Sequence, residues 1–283
     1  MSQEQWDVSS GVGVTALMVA AARALESARD ARLIDDPYAA ALARAAGAAV
    51  PTAESDFDPR FRDAVDYIGL RSRYFDDFFV QAGTEQAVVL ASGLDTRAFR
   101  LPWPPGVRVF EIDQPKVLAY KDEVLAAEHA RPNCTRHAIG ADLRDDWPAA
   151  LREAGFDPAL RTAWLAEGLL PYLDAATEQR LLREVTGNSA PGSRIAVEHL
   201  VTKQLLDEES VSASQSWGVG LDEIFSHENR PAPDVLLAEL GWAVECDELA
   251  TVAQRYGREL NSTARGLTEV GTLLTAELPA GRT

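Results

Sequence analysis

The sequence predicts an α/β fold: a Rossmann-like, doubly wound sheet of seven mostly parallel strands with an antiparallel hairpin at one edge, preceded by a helical region and interrupted by one insertion. Three observations carry this expectation. Short apolar runs alternate with helical patterns through the middle of the 283-residue chain, as in a parallel sheet whose strands are covered on both faces. A glycine turn, Ser92-Gly93-Leu94-Asp95-Thr96, follows the first run, and Asp113 ends the second run 20 residues after Gly93. Asp142 and Glu167 end two further runs in the same register.

Residues 1–82 read as largely helical. Val12 to Leu25 is apolar and alanine-rich, but Glu4 and Asp7 precede it in place of the basic start of a signal peptide, and it is too short to span a bilayer. It is therefore expected as an amphipathic helix. Asp35-Asp36-Pro37 marks a helix start, and Val50 to Asp58, with Pro51 and several acids, reads as looser. Strands are expected near 87–91, 107–112, 135–140, 162–166 and 193–199, and helices near 115–129, 146–154 and 175–187. A polar insertion of about forty residues follows Val201, then strands near 242–248 and 267–277 that pair as the edge hairpin. With no linker or repeat, this is one domain in four parts: helical region 1–82, core 83–200, insertion 201–240 and edge strands 241–283.

The turn and its acids point to an adenosine ligand. A carboxylate about twenty residues beyond the first glycine is where a doubly wound unit meets ribose hydroxyls. A pyrophosphate needs a glycine-rich cradle, and this turn has one glycine, which disfavours a dinucleotide and with it a nicotinamide oxidoreductase. S-adenosyl-L-methionine carries adenosine without phosphate and fits better. Ligands of open α/β sheets bind beyond the carboxyl ends of the strands, so Gly93, Asp113, Asp142 and Glu167 are expected to converge there.

These segments resemble the leucine carboxyl methyltransferase superfamily, and more closely its bacterial branch of S-adenosylmethionine-dependent methyltransferases. The likeness is carried by WDVSSGVGVTALMVAAARA (6–24), LIDDPYAAAL (33–42), RSRYFDDF (71–78), ASGLDTRAFRL (91–101), FEIDQPKVLAYK (110–121), ADLRDDWPAAL (141–151) and WLAEGLLPYL (164–173). It weakens between Val201 and Glu239. The resemblance implies a class I methyltransferase fold in which Asp113, with Gln114 beside it, meets the ribose, Asp142 and Leu143 hold the adenine edge, and the Gly93 turn passes under the methionine portion. It further implies that Glu167 faces the α-amino group and Arg71 the carboxylate of the cofactor, with Arg23 as a further basic contact.

Each assignment has a structural competitor. Acids at strand ends cap helices, and Asp142 and Asp145 are both placed to do so. Arg71 and Arg73 precede Asp76 and Asp77 at helical spacing, as in a surface ion-pair ladder. Gly93 would relieve turn strain whether or not a ligand lies over it.

Composition narrows the partners. A net charge of −17 argues against nucleic acid and against anionic membrane surfaces, both of which need a basic face. Cys134 and Cys246 are far apart and lack metal spacing, so a reduced, cytoplasmic protein without a metal is expected. The pattern sets no oligomeric state.

The expected activity is O-methylation of a small molecule, a carboxylate or hydroxyl acceptor such as a secondary metabolite. A carboxylate needs no base, whereas a hydroxyl must give up a proton, typically to histidine. His199, at the end of the fifth strand, is the first candidate, and Tyr172 the second for placing the acceptor. Within the insertion Trp217, Phe225 and His227 are candidate substrate contacts, with Leu221 and Ile224 completing an apolar cluster that reads either as a cap over the substrate or as a helix packed on the core. The alternatives are a protein C-terminal carboxyl methyltransferase and a non-catalytic cofactor-binding regulator.

Overall fold

The computed structural model describes residues 12–47, 59–200, 225–226, 228, 230–260 and 271–280. Three helices come first: α1 (Val12–Ala28), α2 (Ala39–Ala45) and α3 (Pro59–Ala82). The Asp36 carboxylate accepts from the amides of Tyr38 and Ala39, both at 3.1 Å, so the acid-proline signal does start a helix. The core then runs β1 (Gln86–Leu90), α4 (Arg97–Arg100), β2 (Arg108–Asp113), α5 (Pro115–Ala127), β3 (Thr135–Gly140), α6 (Trp147–Glu153), β4 (Thr162–Ala166), a 3₁₀ turn (Leu170–Tyr172), α7 (Ala175–Gly187) and β5 (Arg194–Leu200). After it come α8 (Pro233–Glu239), β6 (Ala243–Glu248), α9 (Leu249–Arg255) and β7 (Gly271–Glu277).

Among the described residues seven strands form one sheet in the order β3-β2-β1-β4-β5-β7-β6. β1 to β5 are parallel, and β7 runs antiparallel between β5 and β6. The edge pair is thus present, but α9 lies in its connection, so it is no tight hairpin. Residues 267–270 of the expected last strand and Val50 to Asp58 lie outside the described residues.

Side chains alternate across each strand, which builds two apolar layers. Val89, Leu165, Ala196 and Leu273 face Ile68, Phe75 and Phe79 of α3 and Val252 of α9. Val88, Phe110, Trp164 and Ile195 face Trp147 and Leu151 of α6, Leu182 and Val185 of α7, and Leu237 of α8. Pro233–Glu239, inside the expected insertion, therefore serve as a covering helix of the sheet. The segments that carry the candidate residues Gly93, Asp113, Asp142 and Glu167 lie at the carboxyl ends of β1 to β4.

Candidate functional site

The turn after β1 is a strained fold-back. Ala91 and Gly93 take left-handed φ values of 49° and 48°, a conformation that costs a non-glycine residue about 1–2 kcal/mol. The Gly93 amide donates to Asp113 Oδ2 at 2.6 Å, and the Gln114 amide donates to Asp113 Oδ1 at 2.7 Å. A carboxylate has about four acceptor positions, so two remain for a ligand's hydroxyls. Among the described residues, a Cβ built on Gly93 would approach nothing closer than the Ala91 carbonyl at 4.0 Å. Burial pushes the Asp113 carboxyl up from its ordinary value, against the Gly93 and Gln114 amides and Lys121. α5 starts at Pro115 with Gln114 before it, so Asp113 is not that helix's cap.

Asp142 sits beyond β3, where its carboxylate accepts from the Arg144 amide at 2.9 Å and from the Arg144 guanidinium at 2.6 and 2.9 Å. The cap of α6 is Asp146, which accepts from the Ala149 amide; neither Asp142 nor Asp145 fills that place. Leu143 is buried beside it.

Glu167, beyond β4, enters a buried ion network. Its Oε1 lies 2.8 Å from Arg71 Nε, a contact not aligned as a hydrogen bond, and its Oε2 lies 2.6 Å from Arg97 Nη1. Arg71 Nη1 donates to both oxygens of Glu198 at 2.9 Å, and Glu198 also receives the Tyr67 hydroxyl and the Gly168 amide. No described residue accepts from Arg71 Nη2. Arg97 continues to Asp95 and Asp76, Arg100 to Asp76, and Asp36 to Arg23. Burial works to raise the Glu167 carboxyl, but Arg97 and Arg71 outweigh it and hold it below the ordinary glutamate range. Buried charge must be paired, and here Asp36, Asp76, Asp95, Glu167 and Glu198 meet Arg23, Arg71, Arg97 and Arg100, with the Lys121 ammonium also acting on Asp95.

The ladder reading holds for Arg73 alone, which pairs with Asp77 at 3.0 Å; Arg71 and Asp76 turn inward. Arg23 donates through Nε to Asp36 at 2.9 Å and through Nη2 to the Leu94 carbonyl at 2.7 Å, so it grips the glycine turn from α1.

The acceptor candidates lie on the neighbouring rim. The Tyr172 hydroxyl donates to Thr15 Oγ1 at 3.2 Å, and its ring meets Phe225 edge-on at 5.2 Å. His199 follows Glu198 and so projects from the opposite face of β5; burial lowers its imidazole, with Asp234 opposing and Arg230 assisting. Arg230 ties the end of the insertion to the 3₁₀ turn through the Leu170 carbonyl at 2.9 Å and to α7 through Glu178 at 3.0 Å. Trp217, Leu221, Ile224 and His227 lie outside the described residues. A hollow of about 570 Å³ between α2 and α5, lined by Arg44, Tyr120 and Glu123 among others, includes none of these groups.

Comparison with known proteins bears on this arrangement. The family model described as leucine carboxyl methyltransferase matches residues 16–186, a span that holds Arg23, Arg71, the Gly93 turn, Asp113, Asp142 and Glu167. The chain belongs to the leucine carboxyl methyltransferase family. A relative from Saccharopolyspora erythraea is 53% identical, the match covering 98% of this chain and 99% of that one. A second, from Mycobacteroides abscessus, is 43% identical over 98% and 96%. Both are named, by inference, S-adenosyl-L-methionine-dependent methyltransferases. Among solved structures, a protein from Thermobifida fusca titled, again by inference, a methyltransferase matches with a TM-score of 0.57 at 18% identity over 97% of each chain. A DUF574-family protein from Streptomyces avermitilis matches at 0.55 and 14%, over 94% of this chain and 97% of that one. These two likenesses concern the fold of the family, which is the class I methyltransferase sheet described above.

Proposed function

We propose that the protein uses S-adenosyl-L-methionine to methylate an oxygen, carboxylate or hydroxyl, of a small molecule in the cytoplasm. The observation that supports the cofactor most is the junction of Gly93 and Asp113: a glycine turn with no described residue close above it, fastened to a carboxylate that accepts from two amides of the described residues. The names of the relatives agree with it.

When bound, the cofactor supplies an electrophilic methyl carbon on a sulfonium sulfur. On this reading Asp113 holds the ribose hydroxyls with Gln114 beside it, Asp142 and Leu143 hold the adenine edge, Glu167 takes the α-amino group, and Arg71 takes the carboxylate through Nη2, from which no described residue accepts. Transfer to an oxygen lone pair is a direct displacement, so alignment alone accounts for about 7–11 kcal/mol of the barrier. Tyr172, fixed by Thr15, and the ring of Phe225 orient the acceptor and keep water out. His199 is neutral at pH 7 and takes the proton of a hydroxyl acceptor; a carboxylate acceptor does not use it.

The test is incubation with methyl-labelled cofactor and a cell extract, followed by mass spectrometry. A labelled, base-labile ester or a stable methyl ether supports the reading. Binding without turnover on any acceptor would make the protein a cofactor-binding regulator, and no binding would end the proposal.

A further inference from the structure

Lys121, the last residue of the FEIDQPKVLAYK block, has no part in the reading above, yet it is completely buried. Its ammonium has three donors; it donates hydrogen bonds to two acceptors on the turn and forms an ion pair with Glu111. Nζ lies 2.8 Å from Glu111 Oε2, 3.2 Å from the Asp95 carbonyl and 3.5 Å from Ser92 Oγ. Ser92 and Asp95 are the two ends of the glycine turn, already drawn together where the Asp95 amide donates to the Ser92 carbonyl at 2.8 Å. Only Gly93 and Leu94 lie between them.

We propose that Lys121 is the positioning residue of the cofactor turn: from beneath the sheet end it bridges Ser92 and Asp95, so that the Gly93 amide and Asp113 are presented in one fixed geometry. This rests on the cofactor reading above. The placement follows from the chain. α5 begins two residues after Asp113, and Lys121 comes eight residues after it, which brings the side chain back under the turn that Asp113 faces. The same strand and helix thereby supply the carboxylate that meets the ligand and the cation that sets the loop. A compact ammonium serves three divergent acceptors, whereas a planar guanidinium does not.

A structural competitor exists, because Lys121 also neutralises Glu111, a fully buried acid whose Oε1 has no hydrogen-bond partner among the described residues. Arg136 covers that acid as well, with Nε at 2.8 Å and Nη2 at 2.7 Å. The two roles separate in a pair of variants. Lys121→Met removes both the grip on the turn and one counter-charge of Glu111; adding Glu111→Gln removes the charge that would be left short. Affinity for S-adenosyl-L-methionine and for its demethylated product is measured by calorimetry, with melting temperature alongside. The proposal expects both K121M and K121M/E111Q to bind about tenfold or more weakly, the size of losing one or two charged hydrogen bonds, with K121R intermediate. Recovery of wild-type affinity in the double variant would overturn it, and so would a double variant that does not fold, since the lysine would then serve the sheet and not the turn. Wild-type protein that fails to bind the cofactor would instead remove the reading beneath.

Discussion

The Gly93 amide and the Asp113 carboxylate, 2.6 Å apart, join the turn after β1 to the end of β2. The two strands are adjacent and parallel, Leu90 standing opposite Ile112, so the chain leaves both at the same level. The hydrogen bond makes loop and acid one object, presenting a backbone edge and two remaining acceptor positions to whatever lies above them.

Replacing Asp113 with Ala is therefore expected to weaken S-adenosyl-L-methionine binding by at least about tenfold, the worth of one or two hydrogen bonds to a charged acceptor. The fold should survive, because the loss of a buried carboxylate offsets the loss of its amide partners. Calorimetry and thermal melting on the same sample check both halves; unchanged affinity would remove Asp113 from the site.

Gly93→Ala separates strain from obstruction. The left-handed backbone costs about 1–2 kcal/mol for a side chain, while the added methyl group enters space that no described residue occupies. Cofactor affinity should fall by more than the stability change accounts for, as shown by comparing the change in binding free energy with that from denaturant unfolding. Equal losses would mean that the glycine serves the turn alone.

The fold and half of the site were legible because both depend on local patterns. Buried strands need unbroken apolar runs, and the turn and its acid are fixed by a 20-residue spacing, so β1 to β5 and the Gly93–Asp113 junction could be placed from the sequence. The partners of Arg71 could not. Glu198 joins it across 127 residues and Arg97 meets Glu167 across 70, separations at which no periodicity operates. One signal was readable: in the run Arg194 to Leu200 an apolar strand carries Glu198 one place before His199, and alternation sends the two to opposite faces. An acid inside a buried strand calls for a cation. Lys121 was likewise visible in its motif, but only the folded chain puts it under Ser92 and Asp95.

The contrast between Arg71 and Arg73 gives a second test of the network. Glu198 is wholly buried and carries the bidentate contact of Arg71, the Tyr67 hydroxyl and the Gly168 amide. Glu198→Ala leaves a buried guanidinium short of a partner and should cost about 3–5 kcal/mol of stability. Asp77→Ala breaks the half-buried pair with Arg73 and the hydrogen bond that Asp77 accepts from the Tyr256 hydroxyl and should cost about 1–2 kcal/mol. Urea unfolding of the two variants measures the difference, and comparable losses would contradict the burial argument.

The acid side of the pH profile should resolve two groups. Hydroxyl donors of a ligand favour ionised Asp113, so cofactor affinity is full above the Asp113 pKa and falls as the pH drops through it. Because burial raises that pKa from the ordinary 3.8, the fall begins at a higher pH than an ordinary aspartate gives. Asp36, Asp95 and Glu167 shift the other way: burial works to raise them, but their arginines outweigh it and hold all three below their ordinary values. Turnover of a hydroxyl acceptor carries a second limb from His199, whose pKa burial lowers from 6.5: the neutral base persists to lower pH, and the rate declines only as the pH falls through the depressed value. His199→Ala should remove that limb and about 10²–10⁴ of the rate with such an acceptor, while leaving turnover of a carboxylate acceptor and the binding limb of Asp113 unchanged. Rates and affinities measured from pH 8 down to about pH 4, a span chosen to bracket both ordinary values, separate these cases. A binding limb that moved with His199→Ala would tie the histidine to the cofactor in place of the acceptor.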